Sequence, residues 1–384
     1  MSEPSATRAP EPPRPAAPAG LTASVVHDLA DESLWARWDD LAADHATPFQ
    51  TTAFARPLLT HLTAAMGAEP FVVEVRDAGR HVLSLGLCRR PGLVTRIEFP
   101  DFGLVDLAAP VWRRDADLTG ARADDLRRVI LAVLPRHDAL LLAKLPETIG
   151  GARNPLVDWP GVAEMNIVTM VFDPARRPVA DLSAVKESGR KRRRLAREGG
   201  AIRRVDDLDR AQVLLDFLFA QRDEKARRDG RHETLERPEV RDFYRALVAA
   251  GLPTGAVAIW EVVLGDRIIA AVLGLAHAGR FNGTLMATVE EEGVAVHSPG
   301  MIAVATVIED HVAAGGSLFD LGPGEHPYKT RFGGEPQPLL EVGHAATPLG
   351  LAALADRAFR RFVRAHLRRH PAFRARLYRL LGRG

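Results

Sequence analysis

Residues 281–334 read FNGTLMATVEEEGVAVHSPGMIAVATVIEDHVAAGGSLFDLGPGEHPYKTRFGG, and the order of elements in this stretch decides the fold. Phe281 to Val289 is an apolar strand, Ser298-Pro299-Gly300 is a turn, an amphipathic helix follows from Met301, and Ser317 to Leu321 is a second strand. A helix that starts directly after a buried strand presents free backbone N–H groups and about half a unit of positive charge to whatever lies before it. That arrangement suits an anion such as a pyrophosphate. Pro299 fits the first helical position, where its missing donor costs nothing, and Gly300 lets a ligand approach the backbone. The same three residues also serve as an ordinary capped turn with no ligand.

The ordered set Ser298-Pro299-Gly300, Phe319-Asp320-Leu321-Gly322 and Tyr328-Lys329 resembles the acyl-CoA-dependent GNAT-type acetyltransferases associated with bacterial cellulose and exopolysaccharide synthesis, the CelD-like proteins. It is also similar to the Fem-type peptidyltransferases, which carry two GNAT units in one chain. The resemblance spans roughly residues 180 to 335. It implies an α/β fold of two tandem GNAT-like units, each a mixed, mostly antiparallel sheet flanked by helices. By the same resemblance, Phe281–Val289 and Ser317–Leu321 splay apart around the pantetheine arm of acetyl-CoA or another acyl-CoA. His297, Ser298, Gly300, Met301 and Ile302 would then cradle this co-substrate. The glycine-richer loop usual in the family is here Val296-His297-Ser298-Pro299-Gly300. Lys329 before Phe332-Gly333-Gly334 is similar to a Fem-type arrangement in which a lysine contacts an anionic part of the substrate.

A chain of 384 residues, 46% apolar, has room for two ordinary cores. Its net charge of +2 conceals an asymmetry, because ten arginines face one acid, Asp356, from Ala346 onward. That tail carries +9 and the rest of the chain −7. Cys88 is the only cysteine, which excludes an intrachain disulfide and a cysteine-rich zinc site, and its apolar strand marks it as a buried structural thiol. Residues 1–20, rich in Pro and Ala, are expected to be disordered. No apolar run approaches the roughly 20 residues that span a bilayer. The expectation is a cytoplasmic protein with units at 21–168 and 169–345 and a basic tail at 346–384.

Both units show helices, a meander of strands, then a further helix and strand. In the first, strands are expected at Ala23–Asp28, Phe71–Val75, Val82–Cys88 and Ala139–Leu145, with a β-rich stretch from Thr95 to Val111 and helices at Phe54–Ala65 and Arg122–Leu134. In the second, a strand at Thr169–Phe172 precedes helices at Ala184–Glu198, Leu208–Arg227 and Pro238–Ala250, and strands follow at Ala256–Val263 and Arg267–Ala276. The hairpin from Glu74 to Gly86 parallels that from Glu261 to Gly274, at offsets of 261 − 74 = 187 and 274 − 86 = 188. Duplication explains that agreement together with the shared element order. The first unit has no Ser-Pro-Gly turn, so the second is expected to bind the donor and the first to shape the acceptor cleft.

Serine-elbow, zinc-helix, Walker and dinucleotide fingerprints are absent, and the thirteen histidines are scattered, so no metal is expected. Transfer from a thioester requires less: positioning, a base for the acceptor's proton and stabilisation of the oxyanion. Glu325, after Gly322-Pro323-Gly324, is the first candidate base; His326, Asp320 and, across the helix, Glu290 and His297 also lie near strand ends that would border the cleft. Tyr328 and Lys329 are candidates to act on the acceptor or the reacting centre. The run Gly189-Arg190-Lys191-Arg192-Arg193-Arg194 reads first as a solvated helix face and second as a contact for an anionic substrate; nucleic-acid binding comes last. In the tail, Phe359, Phe362, Val363, His366 and Leu367 form one apolar stripe, and Phe373, Leu377, Leu380 and Leu381 begin another. Such a helix can lie on an anionic membrane or pack on its own body.

These features lead to an acyltransferase acting on an amine or hydroxyl, with a saccharide or exopolysaccharide precursor implied by the resemblance. A Fem-like aminoacyl-tRNA-dependent transferase and a non-catalytic scaffold in a polysaccharide synthesis complex are the alternatives.

Overall fold

The computed structural model describes residues 20–43 and 45–369. The Pro/Ala-rich start and the second tail stripe, Phe373 to Leu381, lie outside them. The first half runs β1 (Leu21–Val26), α1 (Glu32–Ala42), α2 (Thr52–Pro57), α3 (Thr63–Ala65), β2 (Glu69–Asp77), β3 (Arg80–Arg90), β4 (Arg96–Glu98), β5 (Val111–Trp112), α4 (Ala123–Val133), β6 (Ala139–Leu145), β7 (Thr148–Ile149), β8 (Ala152–Arg153) and β9 (Ala163–Phe172). The second runs α5 (Ser183–Arg197), β10 (Gly200–Val205), α6 (Leu208–Arg228), α7 (Pro238–Gly251), β11 (Val257–Leu264), β12 (Arg267–His277), β13 (Arg280–Thr288), α8 (Glu292–Ala295), α9 (Pro299–Ala313), β14 (Leu318–Pro323), α10 (Pro327–Arg331), β15 (Glu335–Ala345) and α11 (Pro348–Arg369).

Local chemistry explains most of these boundaries. Asp31 and Asp207 cap α1 and α6, each accepting from a first-turn amide. Ala78-Gly79 and Ala278-Gly279 both have positive φ, as a two-residue hairpin turn demands. The stretch Thr95–Val111 is not β-rich as expected. Only Arg96–Glu98 is strand before Val111, because Pro100 and Pro110 supply no ladder donor and Phe102-Gly103 turns at positive φ.

A 13-stranded sheet runs through the molecule in the order β1-β2-β3-β4-β6-β15-β9-β14-β13-β12-β11-β10, with β5 on β3. The order is a mirror about its centre. Each half contributes one parallel pair, β4 with β6 and β13 with β14, among antiparallel neighbours. The final strands trade places: β9 bonds to β14, β15 bonds to β6, and the two pair with each other. A division between residues 168 and 169 would therefore pass through β9, and β15 extends the strands of the first half.

The duplicated hairpin matches in detail. Glu74 and Glu261 are both buried, and each lies between two arginines, Arg37 and Arg76 for the first, Arg203 and Arg210 for the second. Each β-bulge follows one residue later, at Val75 and Val262, so bulges and glutamates share the offset of 187 (262 − 75 and 261 − 74). One core cluster joins the two halves, and a second packs α5 and α9 on the β11–β14 side. In α9, Ile302, Ala303, Ala305, Val307 and Ile308 are fully buried. Burying one such Ile or Val side chain contributes about 1.5–3 kcal/mol.

The tail is only partly as expected. Leu354 of α11 packs over Gly343, and Arg357 and Arg361 pair with buried Glu341, so one face of the helix belongs to the body. Phe359, Phe362 and His366 are exposed on the other. Among the described residues no helix is long and apolar enough to cross a membrane.

Candidate active site

Strands β13 and β14 pair in register only at Arg280/Leu318, Phe281/Phe319 and Asn282/Asp320, and then part. Gly274 sets the floor of the opening: a Cβ there would lie 2.1 Å from the ring of Phe281, which stacks on Phe319 at 4.9 Å. Beyond the parting lies a cavity of about 560 Å³. Met286, Thr288, Ser298, Gly300 and Met301 line one side, and Tyr328 and Phe332 the other.

Ser298, at φ +50, turns the chain into α9, and the carbonyl of Ser298 accepts from Ile302 at 3.1 Å. The Gly300 and Met301 amides, in the first turn, have no intrahelical acceptor and point their dipoles at the cavity end of the helix. A Cβ on Gly300 would sit 3.0 Å from Thr288 Cγ2, so glycine keeps this wall open.

The basic helix α5 lies against this turn. Lys191 Nζ donates to Ser298 Oγ at 2.6 Å and pairs with Glu187 at 2.8 Å, while Ser188 Oγ donates to the Met301 carbonyl at 3.2 Å. Arg192 reaches Glu309 at 2.7 Å. Arg190 and Arg193 are exposed. The run is thus one face locked onto α9 and one in solvent, and Lys191 stands beside the cavity. Two of the three acids at the cavity mouth are neutralised, Glu290 by Lys225 and Arg228 and Glu291 by Arg267.

On the opposite side of the parting strands is a second set of groups. Asp320 is fully buried, accepting from Thr169 Oγ1 at 2.5 Å, Arg280 at 2.7 Å and the Gly322 amide at 2.9 Å, which fixes the strand end. The point a Cβ on Gly322 would occupy lies 3.6 Å from Asp106 Oδ2, 3.8 Å from the Gly283 carbonyl and 3.9 Å from Lys329 Nζ. Asp106 thus comes from the first half to the gap in the second. Burial raises its carboxyl from the ordinary 3.8 to about 7, the Asp320 carboxylate adds to the rise, and Lys144 and Lys329 oppose it. Tyr244 of α7 is pushed up as well, by burial and then by Asp106. The loop carrying Asp106 is braced by Asp101, which accepts from Lys144 Nζ at 3.0 Å and from the Gly103 and Val105 amides at 3.2 Å. Asn282, on β13 opposite Asp320, is fully buried with both side-chain polar atoms unpartnered. Such a group is an opening for a substrate hydrogen bond.

The fold gathers Ser298, Gly300, Met301 and Tyr328 around one cavity. Four expected residues sit elsewhere. His297 is buried with its Nε2 3.1 Å from Glu198, so its side chain serves the α5–α9 contact. Ile302 spends its amide on Ser298 and its side chain in the core. Glu325 is exposed and lies outside the cavity lining, because the turn at Gly322–Gly324 throws it outward. Lys329 is not a surface cation. It is 4% exposed, and its Nζ donates to the carbonyls of Gly322 at 2.9 Å and Pro323 at 2.7 Å. Burial draws its ammonium below the usual lysine range, against the pull of Asp106 and Asp320. Arg331 pairs with Glu187.

The thiol of Cys88 is buried and pushed up to about 12, as a structural cysteine should be.

A splayed parallel pair with a helix N-terminus at its mouth lies at the centre of the second half. Residues 183–330 match the family model described as "Acetyltransferase (GNAT) domain". No curated protein matches the chain. Among solved structures the chain is similar to FemX, with a TM-score of 0.55 at 10% identity over 83% of this chain and 96% of that one. It is also similar to L-PGS from Bacillus licheniformis (TM-score 0.52, 10% identity, 84% and 95% covered). A conserved protein of unknown function from Bacteroides thetaiotaomicron aligns comparably (0.52, 12%, 83% and 97%). At these identities the likeness is one of fold, and it extends across both halves of the sheet.

Proposed function

We propose that this protein is a GNAT-type acyltransferase that takes its acyl group from acetyl-CoA or another acyl-CoA and passes it to an amine or hydroxyl. The observation that carries the reading is the cavity of about 560 Å³ between the free amides of α9 and Tyr328, with Asp106 on the far side of the gap. Gly300, Met301 and Lys191 would hold the pyrophosphate, and the thioester supplies an already activated carbonyl. The acceptor enters from the side of Asp106 and Asn282. As its nitrogen or oxygen bonds to the acyl carbon, its proton passes to the Asp106 carboxylate, and the C–S bond breaks. The Tyr328 phenol, protonated at neutral pH and with its proton affinity raised further by partial burial, can give its proton to the departing thiolate. Lys329 positions Gly322 and Pro323 at the edge of the gap and does not touch the acyl group. The acceptor class implied by the sequence resemblance is a saccharide or exopolysaccharide precursor.

Titration calorimetry with acetyl-CoA tests the donor site. The parent should bind, and Gly300→Asp, which adds a carboxylate at the helix end and crowds Thr288, should not. Equal heats from both, or none from the parent, would overturn the assignment.

A second reading is aminoacyl transfer from a charged tRNA. Exposed Arg190 and Arg193 beside the α9 turn are the observation in its favour. It is adopted if acetyl-CoA gives no heat while a charged tRNA is retained in a filter-binding assay.

A further inference from the structure

Helix α11 has two unlike faces. Toward the body, a Cβ on Gly343 would lie 3.1 Å from the Leu354 methyls, Arg357 pairs with Glu341 at 2.6 Å, and Asn166 Nδ2 donates to the Arg361 carbonyl at 2.6 Å. Away from the body, Leu351, Phe359 and Phe362 are 63%, 65% and 67% exposed. At 3.6 residues per turn these three positions fall within about 80° of one another and form one outward stripe. His366 continues it, stacked on Phe362 at 6.3 Å. Four of the nine exposed large apolar side chains among the described residues lie on this helix, Leu349 being the fourth, and the other five are dispersed over the remaining surface.

The charge beside the stripe is predominantly positive. Glu341 takes Arg357 and Arg361, and Asp356 takes Arg360. From residue 364 to the C-terminus the sequence holds seven more arginines and no acid.

We propose that α11 is an interfacial helix that lays Leu351, Phe359 and Phe362 into the surface of a bilayer containing anionic phospholipid. The stripe supplies the apolar face, and the acid-free run of arginines in the sequence that follows supplies attraction to the headgroups. A second copy of the chain is a poor occupant, because pairing two such helices brings like charges together. Among the described residues nothing of the chain's own body covers the stripe, because it is the opposite face that packs there. The inference is independent of the acyl-transfer reading.

The test is cosedimentation of the full chain with vesicles of phosphatidylcholine alone and of phosphatidylcholine mixed with phosphatidylglycerol. The parent should pellet only with the mixed vesicles. Raising the salt from about 0.1 M to about 1 M, which shortens the screening length from about 10 Å to about 3 Å, should release it. The double variant F359S/F362S changes only exposed positions, so its melting temperature should match the parent's while its vesicle binding falls at least tenfold. Parent protein that stays in the supernatant with anionic vesicles overturns the proposal, as does a variant that pellets as well as the parent. So does a concentration-dependent dimer, seen by sedimentation equilibrium, that the variant abolishes.

Discussion

Asp106 combines reach with a useful proton affinity. A carboxyl held at about 7 is close to half ionised at neutral pH, where a general base is most effective. Once an acceptor is in hand, kcat/KM should rise with pH to a plateau above about 7, and Asp106→Asn should lower it by about 10² to 10⁴ and flatten that rise. A pH–rate profile of both proteins checks this. Stability should move the other way. The folded-state carboxyl titrates above its ordinary 3.8, so the stability it contributes is present below about pH 4 and lost as pH rises through about 7. Thermal melts across that window should therefore show a smaller fall for Asp106→Asn than for the parent. Lys329 yields a different prediction. Lys329→Met keeps the bulk but loses two bonds from a charged donor, a cost of about 1.5–3 kcal/mol, which denaturant unfolding would register as a lower midpoint. Neither role could be read along the chain. Asp106 lies in a loop more than 200 positions before Gly322, and Lys329 looks like a loop cation until β14 turns back over it.

The elements divide by how local their causes are. The α9 turn, the two hairpins and the long helices of the second half were legible because each depends on residues within a few positions: Ser-Pro-Gly, positive-φ pairs and an apolar period. The basic helix was ambiguous in sequence, and only its packing decides the matter. Lys191 faces Ser298 and Arg192 faces Glu309, whereas Arg190 and Arg193 face solvent. If α5 completes the anion site, Lys191→Ala should weaken acetyl-CoA binding roughly tenfold and reduce the salt dependence of the affinity. Arg190→Ala should have a smaller effect, because a solvated cation contributes about 1 kcal/mol or less. Calorimetry at two ionic strengths separates these outcomes. The loop from Phe99 to Pro110 reads as strand by the β propensity of its apolar residues, but Pro100, Pro110 and the positive-φ pair Phe102-Gly103 outweigh that propensity.

At the scale of the whole molecule, the duplication was visible in sequence and the exchange of final strands was not. Pairing of β15 with β6 joins residues about 200 positions apart, a contact that leaves no local mark. It has a direct test. Fragments 20–168 and 169–384 each lack a strand that the other half supplies, so each should be poorly folded alone by circular dichroism, and the two should form a soluble complex when coexpressed. Two fragments that fold independently would show that the exchanged strands are dispensable.

A sheet that runs unbroken from β1 to β10 also governs traffic through the site. Hinged enzymes admit substrate and shed product by swinging two lobes apart, but here such a swing would tear the ladder between β9 and β15. On the acyl-transfer reading, donor and acceptor would therefore arrive on opposite faces of one fixed wall, and the spent carrier would leave by the face it entered.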